Sequence, residues 1–160
     1  MLRQVVDIPI IAAGGIASGN AIYAALALGA DGVQIGSLFA SSVESSAHEN
    51  FKKAIITAED GSTKLTLKKV VPVRLIKNEF FHSVEEAENR GASREELISL
   101  LGRARAKLGM FEGNTSDGEL EIGQVSSMIT EEKAISQIFR DLISEYRQTD
   151  KIMLEKSKLF

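Results

Sequence analysis

Two apolar runs near the start of the chain each end on glycine, and glycine turns free main-chain amides to grip an anion. The first run reads Ile8-Pro-Ile-Ile-Ala-Ala-Gly-Gly-Ile16 and the second Ala30-Asp-Gly-Val-Gln-Ile-Gly-Ser37. Glycine reaches positive φ and, lacking a Cβ, lets N–H groups come close to a ligand. Gly14, Gly15 and the start of the following helix supply one side of a cup. Gly36 and the Ser37 N–H or hydroxyl supply the other. A helix start adds partial positive charge. Two adjacent turns of this kind are what a barrel of alternating strands and helices uses to hold a phosphate after its last two strands. The expected chemistry is therefore backbone capture of a phosphate-bearing ligand. The sequence has no Gly-x-x-x-x-Gly-Lys-Ser/Thr, and the Gly14-Gly15 turn departs from Gly-x-Gly-x-x-Gly. A triphosphate loop and a dinucleotide fingerprint are both disfavoured.

Other reactive side chains are few. The chain has no cysteine and two histidines, His48 and His82. Disulfides, thiolate catalysis and cysteine zinc sites are excluded together, and no metal site is expected. His48 falls in the first turn of a helical pattern and reads as a solvated or capping residue. His82 stands beside Phe80 and Phe81 and reads as a packed histidine. Among the cations, Arg74 stands out because its neighbours are apolar. Gln124 fits either a ligand contact or a backbone contact in its turn.

The elements that must position these groups follow from patterning. Val5 to Ala12 lacks period-2 alternation and reads as a strand buried on both faces. Ser18 or Asn20 caps a helix from about Asn20 to Leu28, and Gly29 suits the left-handed residue just past its end. Gly32 to Ile35 is the next strand. This strand, helix, strand order is a parallel βαβ unit.

Three capping boxes follow: Ser46 with Glu49, Ser83 with Glu86, and Ser93 with Glu96. The first opens a helix to about Ala58, the second a short helix ending at Gly91. The third opens a helix to about Leu108, closed by Gly109. Leu65, Leu67 and Val70 to Leu75 form an extended stretch that Pro72 demotes to an edge or irregular segment. Thr130 is expected to cap the last helix, whose apolar stripe includes Ile135, Ile138, Phe139, Leu142 and Tyr146. The charged tail after Thr149 is expected to fray.

With 160 residues, a net charge of −3 and 44% hydrophobic residues, the chain fits one globular unit with an appendage. Mild acidity argues against nucleic-acid binding. No apolar run reaches the roughly 20 residues of a membrane span, and no secretory signal opens the chain, so a cytoplasmic location is expected. A closed eight-unit barrel takes about 250 residues, and only two convincing βα units are visible. The expected fold class is α/β: the C-terminal part of a (β/α)8 TIM-type barrel with an appended, mostly helical lobe. Residues 1–59 would hold the last two βα units, 60–117 the lobe, and 118–160 the return segment and final helix. Such a partial barrel exposes sheet edges that invite homo-oligomers.

Pro9-Ile-Ile-Ala-Ala-Gly-Gly-Ile-Ala17, then Ala24-Ala-Leu-Ala-Leu-Gly-Ala-Asp-Gly-Val-Gln-Ile-Gly-Ser37, resembles the C-terminal barrel region of the nitronate monooxygenases, formerly called 2-nitropropane dioxygenases. Flavin-dependent enoyl-acyl carrier protein reductases are relatives of that family. Phe39 with Glu44-Ser45 and the late Gly123-Gln124 extend the resemblance. It implies an FMN-dependent barrel with a lid after strand eight, acting on a small-molecule substrate. Gly14 and Gly15 would bind the FMN phosphate from the seventh strand. Gly36 and Ser37 would bind it from the eighth, where serine replaces the more usual threonine and keeps the hydroxyl. Ala12, Ala13 and Gln34 would line the same edge, and Gln124 would lie near the flavin or the lid. The family's histidine for nitronate oxidation lies upstream of the seventh strand, and neither His48 nor His82 matches it. The implied activity is oxidation of nitronates or nitroalkanes by O2. Enoyl reduction and a non-catalytic, self-associating fragment are the competing readings.

Overall fold

A computed structural model describes residues 2–159. It is an α/β arrangement with two separate two-stranded sheets among the described residues. Strand β1 (Ile11–Ala13) runs parallel to β2 (Gly32–Gln34), with Ile11 opposite Gly32 and Ala13 opposite Gln34. Helix α1 (Gly19–Ala27) makes the crossover that parallel neighbours require. The Ser18 hydroxyl accepts from the Ala21 amide at 3.2 Å, and Gly29 takes φ +99° just beyond the helix. Asp31 pins the entry to β1, its carboxylate accepting from the Ile10 amide at 2.8 Å.

The expectation of a strand buried on both faces is not met within this chain. Ile11 is 57% exposed and Val5 76%. The run has the composition of a doubly covered strand, but no described residue forms a third strand beside β1 or β2.

Helix α2 (Ser37–Ala40) is a single turn, followed by α3 (Glu49–Ile56). The α3 cap is His48, whose Nδ1 accepts from the Asn50 amide at 3.1 Å, and not the expected Ser46. The Ser45 hydroxyl takes the Ala47 amide instead, and the helix cap falls two residues later than expected. Strands β3 (Thr63–Thr66) and β4 (Val73–Ile76) then form an antiparallel hairpin. Pro72 lies just outside β4, where its missing N–H breaks no ladder bond.

Asn78 caps α4 (Glu79–Asn89), accepting from the Phe81 amide at 2.9 Å. The expected cap Ser83 lies inside that helix, its hydroxyl donating to the Glu79 carbonyl. Helix α5 (Arg94–Leu101) does open on the reciprocal Ser93–Glu96 box. It stops at Leu101 and does not reach Leu108. The Arg105 guanidinium donates to the Leu101 and Leu100 carbonyls at 3.1 and 3.2 Å, taking the acceptors that the next helical turn needs. Gly109 closes no helix. It sits inside a π-turn (Lys107–Phe111), where a Cβ would come within 2.6 Å of the Glu119 carbonyl oxygen.

The hairpin, α4 and α5 enclose one core built of Leu67, Leu75, Phe81, Val84, Leu97 and their neighbours. A second core joins Phe51 and Ile55 of α3 to Leu120, Ile122 and Ile129. The last helix, α6 (Ile135–Ser157), begins without a side-chain cap of its own. Thr130 lies well before it, and the distant Glu44 carboxylate accepts the Ile135 amide at 2.9 Å. The helix continues through Thr149, whose hydroxyl bonds Asn20 Oδ1 of α1 at 2.8 Å. Gly19 is what lets α1 meet α6: a Cβ there would fall 2.2 Å from the Tyr146 amide nitrogen. No helix among the described residues is long and apolar enough to cross a membrane.

Candidate functional site

Parallel register brings the two glycine turns together. Ala13 and Gln34 are the last paired residues, so Gly14-Gly15 and Ile35-Gly36-Ser37 leave the ladder at the same end. Gly14 and Gly15 take φ +92° and +72°, which side-chain-bearing residues rarely adopt. Gly36 has φ −99°, open to any residue. A Cβ at Gly14, Gly15 or Gly36 would meet no protein atom within 4 Å. Among the described residues, no backbone carbonyl accepts from the Gly14, Gly15, Gly36 or Ser37 amide outside the regular elements. The two turns line different hollows: Ala12, Ala13 and Gly14 border one of about 510 Å³ against α1, and Gly36 and Ser37 border another beside Gly123.

The start of α1 does not belong to this cup. Its first amide, on Gly19, donates to Glu145 Oε2 of α6 at 2.7 Å, and the Ala21 amide is held by Ser18. The tight α1–α6 packing at Gly19 delivers that carboxylate. Sequence reasoning missed Glu145 because the partners stand 126 residues apart.

Ser37 is half-buried, and its Oγ accepts from the Gly123 amide at 3.1 Å. Its own O–H has no acceptor among the described residues. The nearby Ser41 and Ser42 hydroxyls instead turn back onto the Leu38 and Phe39 carbonyls, at 3.0 and 2.8 Å. Gly123 is carried by a segment laddered onto β4, with Ile76 N–H to Leu120 O at 3.0 Å and Ile122 N–H to Arg74 O at 3.1 Å.

A shallow cleft of about 480 Å³ opens here, lined by Gly36, Ser37, Arg74, Glu121 and Gly123 among others. Arg74 uses one guanidinium nitrogen on Thr63, at 3.2 Å to the hydroxyl. Ala13, Gly14, Gly15, Gln34, Gly36 and Gln124 are exposed, while Ala12 is half-buried. Gln124 follows Gly123 directly and opens a short 3-10 turn (Gln124–Met128).

Neither histidine lines the cleft. His48 caps α3 with its ring against Gly113, and His82 is exposed at the edge of Phe81. No cluster of three or more metal-ligating side chains occurs among the described residues. Among the described residues, the acid pushed furthest from its ordinary value is Glu119, just before the β4-laddered segment. Burial, and then the neighbouring Glu121 charge, push it up to about 7 against the opposing pull of Arg105.

The family model for nitronate monooxygenase matches residues 1–145, and the chain belongs to that family. It is 35% identical over 140 residues to a probable nitronate monooxygenase of Bacillus subtilis (strain 168), covering 87% of this chain and 40% of that protein. FabK from Thermotoga maritima superposes with a TM-score of 0.89 at 33% identity, over 97% of this chain and 49% of FabK. Nitroalkane oxidase from Streptomyces ansochromogenes gives a TM-score of 0.74 at 30% identity, over 95% of this chain and 43% of the oxidase. The chain thus spans less than half the length of each of these relatives.

Proposed function

We propose that this chain is the phosphate-clamping portion of an FMN-dependent oxidoreductase that oxidises nitronates or nitroalkanes with O2. The observation that carries the proposal is the side-by-side exit of two glycine turns with uncommitted amides, in a chain of the nitronate monooxygenase family. In this reading β1 and β2 are the seventh and eighth strands of a (β/α)8 barrel. The remaining strands come from the length that the relatives have in addition. Residues 60–117, closed around their own core, form a lid.

The flavin supplies the electron exchange with substrate and O2, and the protein supplies binding and orientation. The amides of Gly14, Gly15, Gly36 and Ser37 hold the phosphate without reorganising. The missing Cβ atoms admit the anion to the main chain. The Ser37 hydroxyl adds a further donor. Ala12, Ala13 and Gln34 border the same strand ends, and Gln124 directly follows Gly123 at the start of a short turn. No residue of this chain is assigned as the base, since both histidines lie away from the cleft.

Flavin binding tests this reading. The purified protein is titrated with FMN and with riboflavin, which lacks the phosphate. Tight FMN binding with a clear preference over riboflavin is expected. A colourless preparation that gains nothing from added FMN overturns it. The closer superposition on FabK than on nitroalkane oxidase, 0.89 against 0.74, favours a second reading, a flavin-dependent enoyl-acyl carrier protein reductase. Oxygen uptake with a nitronate supports the first, and NAD(P)H oxidation with an enoyl thioester the second.

A further inference from the structure

We infer that Gly123 is a positioning residue for the cup, acting through the Ser37 hydroxyl. The inference rests on the reading that the cup takes a phosphate monoester. A serine hydroxyl both donates and accepts. The Gly123 amide occupies an acceptor site on Oγ at 3.1 Å. With that side taken, the O–H is left to donate elsewhere, and no described residue accepts it. The bond therefore orients the hydroxyl as a donor toward an incoming anion. Hydrogen bonds that involve a charged partner are the strong ones.

Glycine is needed at 123 for space and not for conformation. Its φ of −69° and ψ of 154° suit any residue. A Cβ there would stand 2.8 Å from Ser37 Oγ and 3.7 Å from the Val125 side chain. Alanine would therefore press on the hydroxyl it is meant to orient. The amide cannot easily move aside, because the preceding residues are bonded to β4 through Leu120 and Ile122. The hairpin that carries Arg74 thus sets where Gly123 stands.

A double-substitution cycle on the 160-residue chain decides the matter, reading the ratio of riboflavin to FMN dissociation constants. Ser37→Ala is expected to lower that ratio about 10- to 100-fold, the weight of one hydrogen bond to a charged group. Gly123→Ala is expected to lower it comparably. The pair together should do no worse than Ser37→Ala alone, because the second change acts only through the first.

Additive losses, or equal weakening of FMN and riboflavin by Gly123→Ala, overturn the inference. A wild-type chain without FMN preference overturns the phosphate reading instead. Should Gly123→Ala not fold, amide exchange in wild type and Ser37→Ala replaces it. The Gly123 N–H is expected to exchange faster in the serine variant and slower on adding FMN to wild type. Unchanged exchange in both comparisons counts against the positioning role.

Discussion

The hairpin lobe and the parallel strand pair handle apolar sequence in opposite ways. In the lobe, Leu75, Val84 and Leu97 are fully buried by partners within residues 67–97. In the pair, Ile11 is 57% exposed, although its run is at least as apolar. The lobe closes on itself because an antiparallel hairpin and two capped helices cover a single face. A parallel pair with one crossover helix leaves two edges and part of each face uncovered. Burial of apolar area is the main favourable term in folding. Among the described residues it is shared between the lobe core and the core around α3, while the glycine-turn amides proposed for ligand binding sit on the less covered pair.

The largest way to break this contrast is Phe81→Ala. Phe81 is 1% exposed in the lobe core, and such truncations cost about 3–5 kcal/mol. Urea unfolding followed by circular dichroism should show the loss. A cost below about 1 kcal/mol would mean that the lobe is not closed around this ring.

Stability is expected to depend on pH through Glu119. Glu119 is buried and pushed up to about 7 from an ordinary value of 4.5, by burial first and Glu121 second. Below the ordinary value both folded and unfolded chains carry the proton, and stability is full. Between that value and about 7 the unfolded chain has released a proton that the folded chain retains. Stability therefore falls as pH rises through this window and levels off above it. The total is up to about 3 kcal/mol at 1.36 kcal/mol per pKa unit. Urea unfolding from pH 4 to 8 should trace the fall, and Glu119→Gln should flatten it. A variant that keeps the full slope assigns the dependence to another group.

Gly19→Ala tests whether α6 is locked to the βαβ unit. The new Cβ would fall 2.2 Å from the Tyr146 nitrogen and 2.5 Å from the Leu142 carbonyl oxygen. Backbone atoms must move, at about 1–3 kcal/mol. A thermal melt unchanged from wild type would show α6 free to shift, and the Gly19–Glu145 bond with it.

What the sequence made legible was local. Gly14-Gly15, the Ser18 cap, Gly29 and the Ser93–Glu96 box involve residues a few positions apart, and each formed as its chemistry requires. The failures at helix ends have a common form: a side chain other than the expected one, near or distant in sequence, takes a local donor or acceptor. Glu145 takes the α1 amide, Glu44 takes the α6 amide, and Arg105 takes the carbonyls that would have extended α5. For the candidate site, glycine spacing identified the two turns and Ser37. The tie to Gly123 spans 86 residues and has no local signature. The both-face burial of the first strand failed for a different reason, since its composition reports covering that these residues do not supply.

The smallest expected effect is the most diagnostic of that last difference. Ile11→Thr keeps the β-branched shape that suits a strand and removes apolar surface from a side chain already largely in water. On the chain as it stands, the change should alter stability by less than about 0.5 kcal/mol, as surface substitutions do. It should also weaken any self-association through the open edge, read by sedimentation over a range of concentrations. A cost near that of a buried truncation, about 2 kcal/mol or more, would mean that Ile11 is covered in solution by a second copy. In that case the loss should shrink on dilution, because stability that depends on a partner follows its concentration. Two identical exposed edges would then be closing one another, and the contrast between lobe and strand pair would belong to the monomer alone.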